Sequence, residues 1–266
     1  MRFYNNLLYL LSILLFLGAD CVFGQGSQTV TDAMGHTIQI KRDIKRIVVL
    51  NRSALEVIRI LEAQNLVVGV SDTIKDEPIF FREFQDRPLV GRWMEPNYEK
   101  IVSLKPDICL AYALFPGPEL EKNLKIAGIP VLRLDFYKMS SFEREVQAFG
   151  NILGKNEPAL NFLKWYEQQL GLIEKLVKME KARGQRPPKV YSESYSPYKT
   201  EGPGSGGYQL IMLAGGKPIS STMSLEFADV APEWIVARQP DVIIKKVPRM
   251  GYSQDTPAFL NRIKTI

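Results

Sequence analysis

Apolar and polar positions change their period several times along the chain, and each change marks an element. In "TVTDAMGHTIQI" (29–40) apolar and polar residues alternate on both sides of Met34-Gly35, the period-two signature of a hairpin. "RIVVL" (46–50) is a short apolar run that reads as a strand, with Asn51 and Arg52 directly after it. Ser53-Ala54-Leu55-Glu56 fits a capping box, opening a helix with Leu55, Ile58 and Leu61 on one face. "LVVGVSD" is the next strand, and "LEKNLKIAGIPVLRLD" reads as a helix closed near Gly128 with a strand behind it. Strands alternating with helices predict a parallel sheet covered on both faces.

From Pro158 to Arg183 the helical period persists, with Leu160, Leu163, Leu170, Ile173 and Val177 set among Lys and Glu. At 1.5 Å per residue such a stretch reaches about 40 Å, longer than a sheet-covering helix needs. "ARGQRPPK" then breaks it, so it reads as a backbone helix joining two lobes. The second lobe restarts with the strand "KVYSESY", the Gly-rich loop "EGPGSGG", the helix "YQLIMLAGG" and the strand-like "KPISS". A strand "DVIIKKV" and a helix from "PAFLNRIKTI" follow. The expected organisation is a leader over 1–24, an N-terminal α/β lobe over 25–157, the interlobe helix over 158–183 and a C-terminal α/β lobe over 184–266. With fewer strand candidates than the first, the second lobe reads as incomplete, as a truncated lobe would.

One unit occurs twice. With Pro106-Asp107 aligned on Pro240-Asp241, Glu99 matches Glu233, Ile101 matches Ile235 and Val102 matches Val236. Each copy is a short helix stopped by Pro-Asp and followed by an apolar strand, because Pro ends a helix and extends its predecessor. Two lobes of common design would share such a stop. A carboxylate in the first turn of both helices also suits the helix dipole, so residue chemistry alone leaves helix capping and docking to a partner both open.

Composition is that of an ordinary globular protein, 45% hydrophobic and 24% charged over 266 residues. The net charge of +5 is scattered, and the densest basic run, "IKRDIKRIVV", alternates with apolar residues. That reads as a solvated strand edge more readily than a nucleic-acid stripe, and it supports only a mild preference for an anionic partner. The N-terminus has Arg2, an apolar run from Leu7 to Leu17, and Val22 and Gly24 placed for cleavage before Gln25, the order of a secretory signal. The run is shorter than the roughly 20 apolar residues of a membrane span. Cys21 raises a lipidated alternative, but Gly18 and Asp20 fit a lipobox poorly. The expectation is export to the periplasm, with an uncleaved anchor at the outer face of the cell membrane as the alternative. Cys109, in the apolar "DICLAY", then has no disulfide partner and reads as a buried small hydrophobe.

"TVTDAMGHTIQI", "KRIVVLNRSALEVIRIL", "VGRWMEPNYEKIVSLKPDICLAY" and "LAGGKPI" together resemble the iron-complex and cobalamin periplasmic substrate-binding proteins of ABC importers, from about Thr29 onward. That resemblance implies two Rossmann-like lobes joined by one long helix, the class III binding-protein fold. It implies a permease dimer with its ATPase as partner, and it places Glu99 and Glu233 at the positions that dock to the permease. It also aligns Trp93 and Tyr112 with aromatic cleft positions of the cobalamin-binding members.

Ligands of open α/β sheets sit beyond the carboxyl ends of the strands. The positions so placed are Asn51, Arg52, Asp72, Arg92, Trp93 and Tyr112 in the first lobe, and Glu193, Ser194, Tyr195, the loop 202–207 with Ser205, and Arg249 in the second. Of these, Arg52, Arg92, Trp93, Tyr112, Tyr195, Ser205 and Arg249 are the expected ligand-binding set, since aromatic rings stack on flat chelates and arginines pair with carboxylates. Trp93 also fits a lobe core. The Gly-rich loop fits either an anchor for a ligand carboxylate or a tight turn, and it lacks the Gly-Lys-Ser/Thr ending of a P-loop.

The lone histidine, His36, falls in the predicted hairpin, and neither a Ser-His-Asp set nor a metal-ligand cluster is legible. An exported enzyme on a similar two-lobed scaffold is therefore the remote alternative. The expected function is capture of an iron chelate of ferric-siderophore type and its delivery to the permease, with cobalamin or haem as alternatives. The three arginines carry the preference for iron. No catalytic residue, resident cofactor or nucleic-acid partner is expected, because the metal arrives inside the chelate. A long connecting helix further implies a small hinge angle on binding.

Overall fold

The computed structural model describes residues 26–247 and 252–264. The expected leader with Cys21, and Arg249, lie outside the described residues. The expected hairpin is β1 (Ser27–Thr31) and β2 (Thr37–Lys41), paired antiparallel, with Gly35 at φ +83° taking the left-handed turn position.

The first lobe is a parallel sheet of β3 (Ile47–Val49), β4 (Val67–Val70), β5 (Ile108–Ala111) and β6 (Val131–Arg133), in the order β4-β3-β5-β6. Its helices are α1 (Arg52–Ile60), α2 (Tyr98–Ser103), α3 (Glu119–Lys125) and α4 (Met139–Ile152). Apolar runs continue through these strands because both faces are covered. Ile47, Val49, Ile108 and Leu110 join the core that holds Leu55 and Ile58 of α1 and Phe149 of α4. The alternate residues Val48, Leu50, Cys109 and Ala111 pack with Ile101 of α2 and with Leu120 and Leu124 of α3. Cys109 is fully buried, as expected, and burial pushes its thiol up to about 12.

Helix α1 starts two residues earlier than the capping box predicts. Asn51 is its N-cap, accepting from the Ala54 N–H, while its side-chain amide donates to the Leu134 carbonyl. Ser53 lies inside the first turn. Asn51 is fully buried and holds two elements together, so it is not a wall of the cleft.

The interlobe helix α5 (Asn156–Ala182) runs for 27 residues. It is fastened to α4 where Gly150 meets Ala159: a Cβ on Gly150 would lie 2.7 Å from that of Ala159. Phe142 packs against Phe162 and Tyr166 along the same seam.

The second lobe is a mixed sheet. β7 (Lys189–Glu193) pairs parallel with β9 (Lys217–Pro218) and with β11 (Val242–Lys245), while β8 (Lys199–Glu201) and β10 (Phe227–Asp229) extend it antiparallel. The helices α6 (Gly206–Leu213), α7 (Pro232–Arg238) and α8 (Tyr252–Ile263) accompany it. Its core is much smaller, built on Tyr191, Ile219 and Ile235. Two buried carboxylates add polar ties. Glu193 takes Arg262 of α8, Lys245 at 3.2 Å and the Tyr191 hydroxyl at 3.0 Å, and Glu201 takes Lys246 and the Ser192 hydroxyl.

Candidate ligand-binding site

The carboxyl ends of both sheets open onto one cavity of about 880 Å³ between the lobes, lined by Leu50, Arg52, Arg92, Trp93, Tyr112 and Tyr195 with Thr73, Asp76, Glu77 and Val247. Arg52, Tyr112 and Tyr195 sit just past the ends of their strands, and Arg92 and Trp93 lie in the turn before α2. Arg52 opens α1 after β3, Tyr112 follows β5, and Tyr195 and Val247 follow β7 and β11. That is the location a parallel sheet reserves for ligands.

The wall of the first lobe is aromatic. Trp93 meets Tyr112 edge-on at 5.4 Å between ring centroids and Phe115 at 5.9 Å, and Tyr112 meets Tyr137 at 6.0 Å. Trp93 is half-buried and belongs to neither hydrophobic core of its lobe, so the core reading fails. Desolvation raises the Tyr112 phenol above its ordinary range, against the pull of Ser53 and Arg52, so it stays a neutral hydrogen-bonding group at every physiological pH.

The charges of the wall are balanced. Arg52 forms an ion pair with Glu77, and Asp76 lines the same cavity. Arg92 makes no ion pair among the described residues. Arg52 is therefore not the free cation that the expected affinity for an anionic iron chelate called for. The residues that balance it lie in the 3₁₀ turn Asp72–Asp76 and at its C-cap Glu77, just past β4. The only sequence signal for them is the polar run that follows "LVVGVS".

Ser205 is not brought to the cavity. It is fully buried, its hydroxyl accepts from the Tyr208 N–H as N-cap of α6, and it donates to the Gly202 carbonyl. The rest of the Gly-rich loop is equally occupied. A Cβ on Gly202 would lie 2.1 Å from the Leu225 carbonyl oxygen, and one on Gly207 2.0 Å from a Glu201 carboxylate oxygen. These glycines serve close approach, and the negative charge of Glu201 against the helix start leaves no seat for a ligand carboxylate. Glu193 is sealed beneath the sheet; burial opposes its ionisation, but Arg262, the Tyr198 N–H and Lys245 outweigh it and hold the carboxyl below its usual range. Asp72 spends an oxygen on the Gly91 N–H at 3.2 Å.

The repeated unit forms the same local structure in both lobes. Ile101 and Ile235 are fully buried, Val102 and Val236 are exposed, and the residue before each proline is left-handed, Lys105 at φ 46° and Gln239 at φ 48°. The aspartates have a structural role. Asp107 accepts from the Lys45 and Arg46 N–H groups at 2.7 and 2.9 Å, and Asp241 accepts from the Lys189 N–H at 2.7 Å and from Arg186. The glutamates are solvent-exposed, and among the described residues neither enters an ion pair. In α2 the capping is done by Asn97, which accepts from the Lys100 N–H at 2.9 Å, so Glu99 is not needed for it. Helix α7 has Pro232 in its first turn and no side-chain cap.

His36 lies on the exposed hairpin turn beside Asp32, away from the cavity.

A family model described as periplasmic binding protein matches residues 47–264. The chain is 32% identical over 153 residues to YvrC, an ABC transporter substrate-binding lipoprotein of Bacillus subtilis, covering 56% of this chain and 47% of that one. It is 25% identical over 156 residues to a vitamin B12-binding protein of Pectobacterium atrosepticum, covering 58% and 56%. The chain thus spans about half the length of these two relatives. Its fold matches that of MolA, the molybdate periplasmic binding protein of a Haemophilus influenzae ABC transporter, with a TM-score of 0.74 at 19% identity over 88% of this chain and 77% of that one. That likeness supports the class III architecture of two α/β lobes on a long helix. The chain belongs to the periplasmic binding protein family.

Proposed function

We propose that this protein is the substrate-binding component of an ABC importer, and that it holds a flat metal chelate of low net charge, a corrinoid such as cobalamin, between its lobes. The observation that carries this reading is an aromatic wall of Trp93 and Tyr112 in a cleft whose Arg52 is already neutralised by Glu77. Ring faces and edges bind extended apolar surfaces, and Asp76, Arg92 and Thr73 offer hydrogen bonds to peripheral amides. The name of the Pectobacterium relative agrees with it. The metal comes as cargo inside the ligand, and the reading assigns the protein no chemical step. It works on the outer side of the cell membrane, and Glu99 and Glu233 present one carboxylate per lobe to a permease dimer served by its ATPase.

A second reading, an anionic ferric siderophore, is favoured by one observation: the Arg92 guanidinium has no carboxylate partner among the described residues. Titration of the protein with cyanocobalamin, a ferric catecholate and haemin, followed by Trp fluorescence in a Trp165→Phe/Trp234→Phe background, separates the two. Saturable quenching by cyanocobalamin that survives Arg92→Ala supports the corrinoid. A response to the ferric catecholate alone, abolished by Arg92→Ala, supports the second reading, and no response to any of the three overturns both.

A further inference from the structure

The interlobe helix is not the only bond between the lobes. The chain leaves β6 through a turn that is tied down at each step: Asp135 is buried and accepts from the Ala113 N–H at 2.9 Å, and the Phe136 N–H donates to Glu145 at 2.7 Å. This rigid turn delivers Tyr137 and Lys138 to the second lobe. The Lys138 ammonium lies 3.3 Å from Asp135 on its own lobe and 3.1 Å from Glu226 on the other. Two residues further on, the Ser140 N–H donates to the Gln209 side chain at 3.3 Å, and the Gln209 amide donates back to the Ser140 hydroxyl at 3.2 Å.

The Gly-rich loop makes this seam close enough to form. A Cβ on Gly206 would lie 2.5 Å from the Tyr137 carbonyl oxygen, far inside contact distance, so only glycine lets the start of α6 reach the turn. Gly204, at φ +93°, takes a left-handed conformation that few other residues adopt, and a Cβ there would lie 3.1 Å from Glu226. Within "GPGSGG", Gly206 is thereby spent on lobe-to-lobe approach, while Gly202, Gly204 and Gly207 approach residues of their own lobe.

We propose that Tyr137, Lys138 and Ser140 of the first lobe, with Gly206, Gln209 and Glu226 of the second, form an interlobe lock that sets the resting aperture of the cleft. A helix alone fixes the lobes along one line and leaves rotation about it and bending across it soft. A second attachment, from the start of α4 to α6 and Glu226, removes most of that freedom. The lock also lies beside the ligand wall, because the Tyr137 ring is 6.0 Å from Tyr112. Part of it is a partly exposed ion pair, which salt weakens, and part is steric fit at Gly206, which salt leaves intact.

The test reads the ligand-free protein, so its failure is separate from a failure of the transport reading. Cysteines introduced at Lys122 and Lys217, one exposed position in each lobe, carry spin labels in the full chain with Cys21→Ser; the native Cys109 is buried and stays unlabelled. The interlobe distance distribution, measured by electron double resonance, is expected to be narrow in the parent. It shifts to longer distance and broadens in Glu226→Lys, which sets two cations against each other, and in Gly206→Val, with Glu226→Gln between parent and Glu226→Lys. Glu226 is part-exposed, so its variants fold even if Gly206→Val does not. A Glu226→Lys distribution superimposable on the parent overturns the lock, whatever Gly206→Val shows.

Discussion

The two helix–Pro-Asp–strand units have the same local structure and very different surroundings. Both bury an isoleucine completely, both place a left-handed residue before proline, and both use the aspartate to staple the start of the next strand to its neighbour. Yet β5 lies between β3 and β6 and is buried along its whole length, whereas β11 alternates between exposed and half-buried residues, with Val242 and Ile244 each 42% exposed. Among the described residues only β7 pairs with β11. The motif therefore encodes a stop, a turn and a staple, while burial of its strand is set by the elements around it. The glutamates follow the same logic: Glu99 is relieved of capping by Asn97, and Glu233 stands in a first turn begun by proline.

The largest contrast to probe is functional. Reversal of both Glu99 and Glu233 to Arg is expected to abolish ligand uptake in cells while leaving the affinity of the isolated protein unchanged, because neither residue touches the cleft. Uptake at the parental rate in the double variant removes the docking assignment. The next effect is on stability. Ile101→Ala should cost about 2–5 kcal/mol, as truncation in a filled core does, and Ile235→Ala should cost less because its cluster is small and wetter. Urea unfolding of the two variants checks the order, and equal losses would erase the distinction between the lobes.

Smaller still are the staples. Asp107→Ala leaves two backbone N–H groups without their acceptor and should cost about 1–3 kcal/mol, read from the same urea curves. Asp241 is more exposed, and the Arg186 guanidinium, aided by the Lys189 N–H, lowers its carboxyl to about 2 from the usual 3.8. A depressed folded-state pKa contributes stability that is fully present above the unfolded value and is lost as pH falls through the folded one. The melting temperature of the parent should therefore lose this contribution between about pH 4 and pH 2, and Asp241→Asn should flatten that part of the profile. An unchanged acid limb in Asp241→Asn argues against the staple.

Strong periodicity made much of this fold legible. The hairpin around Gly35, the strand before Asn51, the repeated unit and the long helix all follow from patterns that sequence alone carries. Three kinds of feature did not. Strands β8 and β10 are the three-residue runs "KTE" and "FAD", too short to carry a period of their own, and they form because β8 pairs with β7 and β10 pairs with β8. Helix α4 opens on Lys138 without a side-chain cap, and its buried Val146 and Phe149 come only in its second half. The start of α1 was misplaced because Asn51 caps it while also reaching Leu134, a tertiary bond that no local rule contains.

The candidate site divides in the same way. Arg52, Tyr112 and Tyr195 converge because each follows the end of a strand, and Arg92 and Trp93 join them from the turn before α2, positions that order along the chain predicts. The pairing of Arg52 with Glu77 lies 25 residues away in sequence and joins the first turn of α1 to the turn after β4, so the charge of the wall could not be read before the fold was known. Ser205 shows the opposite error: a hydroxyl in a Gly-rich loop suits a ligand and a helix cap equally, and here the cap wins.

The central claim is that the Trp93–Tyr112 wall, more than any arginine, holds the ligand. Calorimetric titration of cyanocobalamin into the parent, Trp93→Ala and Arg52→Ala tests it directly. The account predicts saturable binding by the parent, a loss of about tenfold or more in Trp93→Ala, as removal of a contact worth over 1.4 kcal/mol requires, and a smaller loss in Arg52→Ala. Binding unaltered in Trp93→Ala but abolished in Arg52→Ala would contradict it.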